Sequence, residues 1–271
     1  MPPRRIVSLC PSITETLIDL GLSDRIVGVT RFCIHPAEVV AKLPKVGGTK
    51  DPDIEAILAA KPDLVFMNAE ENRKEDHERL AGAVEVHVSE PRRVRDVPAL
   101  LRHLAEITGR EGGHQRAAEL EEALGKLAEA RAAHPRRKFT FAYMIWKKPW
   151  MTVSTSTYVD DLLSLAGGEN IFADAETRYP TVELQDIHQR TPTVVFLADE
   201  PYPFKPEHAR EIAEATGAPT EVISGDDCCW HGVRSIRGVR LAQTLFTRLA
   251  HDGSDAVAEL ESESLKSPQP T

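Results

Sequence analysis

Residues 54–70 read IEAILAAKPDLVFMNAE, and residues 184–200 read LQDIHQRTPTVVFLADE. The two align without a gap: Ile57 falls on Ile187, Pro62 on Pro192, Val65 on Val195, Phe66 on Phe196 and Glu70 on Glu200. Each reads as a short helix, a proline that stops it, a buried apolar strand, and an acidic residue just past the strand. Any helix–proline–strand unit looks somewhat like another. An ungapped match that ends in the same acid points to a duplicated unit, and so to two similar lobes.

Between the copies lie residues 112–134, GGHQRAAELEEALGKLAEARAAH, built almost wholly of strong helix formers and stopped by Pro135. Ala117, Leu120, Leu124, Leu127 and Ala128 fall at three- and four-residue spacings, so the stretch predicts one amphipathic helix. At 1.5 Å per residue it spans roughly 30 Å, enough to act as a spine joining the lobes. On both sides of it strands alternate with helices, the pattern of parallel βαβ units. The predicted fold is α/β, two Rossmann-like lobes with parallel sheets joined by a single long backbone helix. The expected divisions are an N-terminal lobe over 5–111, the helix over 112–134, a C-terminal lobe over 138–252 and a polar, disordered tail over 253–271. At the first lobe's start, Ser12 and Glu15 read as a capping box opening a helix.

The chain has 271 residues, 41% hydrophobic and 28% charged, the balance of a globular protein, and a net charge of -9. That charge argues against nucleic acid as a partner, and no apolar run reaches membrane-span length, so no membrane insertion is expected. Two arginines precede residues 6–9, but that apolar run is too short for a signal-peptide core and Pro11 follows it. The chain as given therefore reads as cytoplasmic, or periplasmic if a leader was trimmed. Cys10, Cys33, Cys228 and Cys229 read as thiols of a reducing compartment, the last two being poorly spaced for a mutual bridge.

Three stretches, residues 5–30 (RIVSLCPSITETLIDLGLSDRIVGVT), 51–65 (DPDIEAILAAKPDLV) and 162–172 (LLSLAGGENIF), resemble the helical-backbone solute-binding proteins of ABC importers. The resemblance covers roughly residues 5–250 and is nearest, by motif, to the branch that binds vitamin B12 and other metal chelates. It implies a solute-binding protein that captures a small ligand, a cobalamin, another corrinoid or another metal chelate, in a cleft between the lobes. The continuous helix would limit closure to a modest motion. It also implies that Trp230 lines the ligand pocket and that Glu55 docks an ABC permease if the protein is exported. At the position matching Glu55 in the second lobe the chain has Gln185, with Glu183 and Asp186 beside it.

In such folds ligands bind beyond the carboxyl ends of the strands, which selects the candidate residues. Cys33 and His35 follow the second strand, and Cys229 and His231 sit in the last loop; the four together could hold a transition metal. Trp146, Trp150, Tyr202 and Trp230 supply aromatic walls for a planar ligand. Glu71, Asn72, Arg73 and Glu200 supply a polar rim, and Arg178 and Arg234 could meet an anionic group. No resident cofactor is required beyond a corrinoid or a bound transition metal. No nucleophile elbow or phosphate loop is present, so a binding protein is expected rather than an enzyme. The alternatives are a cytosolic metal-binding or chaperone protein using the Cys/His ligands and, third, an enzyme acting on a bound cofactor.

Overall fold

The computed structural model describes residues 1–250, so the expected tail over 253–271 lies outside the described residues. The described residues form two compact units: Met1–Glu122 with Cys229–Arg237, and Ala123–Cys228 with residues 238–250.

In the first unit, β1 (Ile6–Ser8) leads to α1 (Pro11–Asp19), β2 (Ile26–Val29) and α2 (Ala37–Val40). It continues with α3 (Ile54–Ala59), β3 (Leu64–Asn68), α4 (Lys74–Ala81), β4 (Glu85–Ser89) and α5 (Val97–Thr108). The four strands form a parallel sheet in the order β2-β1-β3-β4. Apolar side chains leave it on both faces. Ile6, Leu64 and Phe66 pack with Ile13 and Leu17 of α1 and Leu104 of α5. Val7, Val65 and Met67 pack with Ile57 of α3 and Leu80 of α4. Burial on both faces is why these strands read as continuous apolar runs.

The helix α6 (Gly112–Ala133) forms as the spacing predicts. Ala117, Leu120 and Leu127 are buried and Leu124 half-buried, but Ala128 is exposed and lies off the stripe. Gly113 opens its packing on α5, since a Cβ there would stand 2.5 Å from the Leu101 carbonyl oxygen.

In the second unit, β5 (Phe139–Trp146) is central, with β6 (Met151–Thr152) antiparallel beside its end. Then come α7 (Tyr158–Leu165), β7 (Gly168–Asn170), α8 (Leu184–Arg190), β8 (Val194–Ala198), α9 (Pro206–Thr216), β9 (Thr220–Ile223), α10 (Gly225–Cys229) and α11 (Ser235–Leu249). β5 pairs in parallel with β7 and β8, and β8 with β9. The parallel pairings repeat those of the first unit, with β5 in the place of β1, β7 of β2, β8 of β3 and β9 of β4. The aligned sequences thus become the same helix–strand unit twice, α3–β3 and α8–β8.

Candidate ligand site

The carboxyl ends of the first sheet are held by side chains that bond backbone. Asn68 receives the Glu70 and Glu71 amides on its Oδ1 at 2.9 and 3.1 Å and donates to the Ser89 carbonyl at 3.0 Å. The buried Asn72 carboxamide accepts from the Asn68 amide at 2.8 Å and donates to the Leu9 and Thr49 carbonyls, each at 3.0 Å. Three loops are tied together there, so Asn72 shapes the rim and its amide is already engaged. Glu71 and Arg73 on either side are exposed. Glu71 is nevertheless surrounded by enough protein for loss of hydration to push its carboxyl up, while Lys50 pulls it back down.

The Ser12–Glu15 capping box does not form. Pro11 takes the first helical position, and Cys10, the N-cap, makes no side-chain capping bond. Both residues instead engage Cys229–Arg237. The Ser12 hydroxyl faces the His231 ring, 3.3 Å from Nδ1 and 3.2 Å from Nε2. Glu15 receives a bidentate pair from Arg234 at 2.7 and 2.5 Å. Arg234, expected to be available to an anion, is therefore buried in an ion pair. The Val233 amide donates to Thr16 Oγ1 at 3.2 Å. Gly232 makes that approach possible: its φ is +87° and a Cβ would stand 2.1 Å from Thr16 Oγ1. The segment so fastened carries Trp230, 5% exposed, with the Arg234 guanidinium 5.0 Å from its ring and the His35 ring edge-on at 5.7 Å.

Cys33, His35, Cys229 and His231 do not assemble as a metal-ligating group, and no set of three or more such residues does among the described residues. Cys33 turns inward, its thiol 3.1 Å from Thr14 Oγ1 and 3.2 Å from Thr30 Oγ1, and burial raises its pKa. Burial, followed by the charge of Glu71, pushes the Cys10 thiol up to about 12. Burial holds the His231 imidazole down at about 4, so it is neutral at neutral pH. On the same rim, sequence reading passed over Phe32 and Ile34, both exposed in the loop after β2, because a lone apolar residue in a loop carries no periodic signal.

In the second unit the loops after β5 and β8 form one aromatic cluster. Trp146 meets Tyr202 edge-on at 5.5 Å, Tyr202 meets Phe204 at 4.7 Å, and Phe204 stacks on Trp150 at 6.4 Å with the planes 6° apart. Phe204 is buried, whereas Trp146 is 41% exposed at the end of β5. Lys147 lies 5.3 Å over the Trp150 ring and pairs with Glu211 at 2.5 Å. The predicted residues Trp146, Trp150 and Tyr202 are thus brought together. Half-buried Glu200 lies one residue beyond Asp199, which receives the Gly225 amide at 2.7 Å.

Residues 6–220 match the family described as periplasmic binding protein. The chain is 30% identical over 203 residues to a vitamin B12-binding protein of Pectobacterium atrosepticum, covering 72% of this chain and 71% of that one. It is 31% identical over 197 residues to a vitamin B12-binding protein of Yersinia pestis, covering 72% and 69%. Among solved structures, the periplasmic vitamin B12-binding protein BtuF of Vibrio cholerae superposes with a TM-score of 0.80 at 24% identity, over 92% of this chain and 98% of that one. The periplasmic heme-binding protein RhuT from Roseiflexus gives 0.74 at 20% identity, over 92% and 99%. These structures share the fold, and the family match spans most of the chain: the protein belongs to the periplasmic binding protein family.

Proposed function

We propose that the protein is a solute-binding protein whose ligand is a corrinoid or a closely related flat metal chelate. The observation that carries this reading is the aromatic platform of the second unit. Trp146 presents an indole to solvent at the carboxyl end of the central strand, and Tyr202, Phe204 and Trp150 back it ring against ring. A rigid aromatic surface loses little side-chain entropy on binding and matches the apolar face of a macrocycle. Within the first unit, Trp230 with His35 and the exposed Glu71 and Arg73 are the residues proposed to meet the ligand; within the second, Glu200 is proposed beside the aromatic platform. Relatives at about this level of identity that bind vitamin B12 support the same ligand class.

Glu55, exposed in the first turn of α3, is the residue proposed to meet a permease; Gln185 occupies the repeated position in α8.

The test is a tryptophan-fluorescence titration with cyanocobalamin and, in parallel, hemin. Cyanocobalamin is expected to saturate at one equivalent, and Trp146→Ala to weaken it at least tenfold with the unfolding midpoint unchanged. Saturation by hemin with no response to cyanocobalamin would move the ligand to another class of chelate. Indifference to both would overturn the reading.

A further inference from the structure

Away from these loops, His87 of the edge strand β4 and His103 of α5 lie with ring centroids 4.9 Å apart and planes tilted by 51°. Phe66, on the neighbouring strand, meets His87 edge-on at 5.4 Å and fixes one side of that imidazole. His87 Nε2 is buried and has no hydrogen-bond partner among the described residues. A buried polar nitrogen left unpaired is costly, and such a group calls for an explanation. On the other ring, Glu106 Oε2 stands 3.8 Å from His103 Nδ1.

We propose that His87 and His103 form a two-imidazole chelate for one borderline divalent cation, copper, nickel or zinc. The ring separation fits. With a metal–nitrogen bond of about 2.0–2.1 Å and roughly 1.2 Å from nitrogen to ring centre, two imidazoles at an angle of about 90–110° on one ion have centroids about 4.5–5.4 Å apart. The observed 4.9 Å lies inside that interval. No third His, Cys, Asp or Glu completes a ligand group among the described residues, so water fills the other coordination positions. His103 is about half exposed, which leaves the ion a path from solvent. Nitrogen ligands in this number suit copper best in the order of divalent affinities.

The experiment is a titration of the full chain with Cu²⁺ at pH 7.5, followed by electron paramagnetic resonance, with Zn²⁺ added in a parallel thermal-unfolding series. One tight Cu²⁺ per chain with hyperfine coupling to two imidazole nitrogens is expected. His103→Ala, at a half-exposed position that leaves the fold intact, should weaken Cu²⁺ at least tenfold, remove one nitrogen coupling and abolish the Zn²⁺-dependent rise in Tm. Wild-type affinity in His103→Ala, or a spectrum without two nitrogens in the unaltered protein, overturns the proposal. Neither readout depends on corrinoid binding.

Discussion

At Asn72 one carboxamide closes three backbone bonds from three segments, so its removal strips donors and acceptors that water reaches poorly. At about 1 kcal/mol net per bond, Asn72→Ala is expected to cost about 2–4 kcal/mol of stability, measured by urea unfolding. Gly232 makes the complementary case: an alanine there meets both a positive φ and the Thr16 hydroxyl. Gly232→Ala should cost at least about 2 kcal/mol, and a Thr16→Ser background, which keeps the hydroxyl, should not relieve it. His231 links the same place to pH. Its imidazole is held at about 4 by burial against 6.5 in the unfolded chain, so between those values the unfolded state binds the extra proton. The stability it contributes is therefore complete above pH 6.5 and is lost as pH falls toward 4, by about 3 kcal/mol. Denaturant unfolding across pH 8 to 4 should show that loss, reduced in His231→Gln; an identical pH profile in the two proteins would contradict it.

Among elements, the decisive attachment is that of Cys229–Arg237 to α1. The Glu15–Arg234 pair is nearly closed to solvent, with side-chain exposures of 17% and 5%. Breaking one partner of a buried pair leaves an uncompensated charge, so Glu15→Gln should cost about 3–5 kcal/mol, more than an exposed pair such as Arg102–Glu121 would lose. None of this attachment was legible in the sequence. The local pattern Ser12-x-x-Glu15 satisfies a capping rule, and only contacts from more than 200 positions away redirect both side chains. For the same reason the Cys/His set looked like a metal site: spacing showed that Cys33 and His35 share a loop, but not that Thr14 and Thr30 take the thiol inward. Where no distant contact intervenes, local pattern governs: Asp53 caps α3 and Thr157 caps α7, each with its side chain on the helix backbone. β6 and β7, two and three residues long, are too short to carry a period in the sequence.

For the molecule as a whole, the duplicated stretch was the most informative feature. An offset of 130 positions carries α3 and β3 onto α8 and β8, and the parallel strand pairings of the two sheets repeat around them. Topology was legible because duplication writes the same apolar pattern twice. The ligand was not, because which aromatic faces solvent depends on packing: of the three tryptophans, Trp230 is buried, Trp150 half-buried and Trp146 exposed. A ligand bound by the folded protein alone also stabilises it, by about 2.7 kcal/mol at a hundred times its Kd, so cyanocobalamin should raise Tm in a concentration-dependent way. Equilibrium dialysis against cyanocobalamin, read by the corrin absorbance retained with the protein, measures the proposed binding itself. One equivalent retained by the native chain, and a clear loss of retention in Trp146→Ala, is the predicted result; no corrinoid retained above a protein-free control would contradict it.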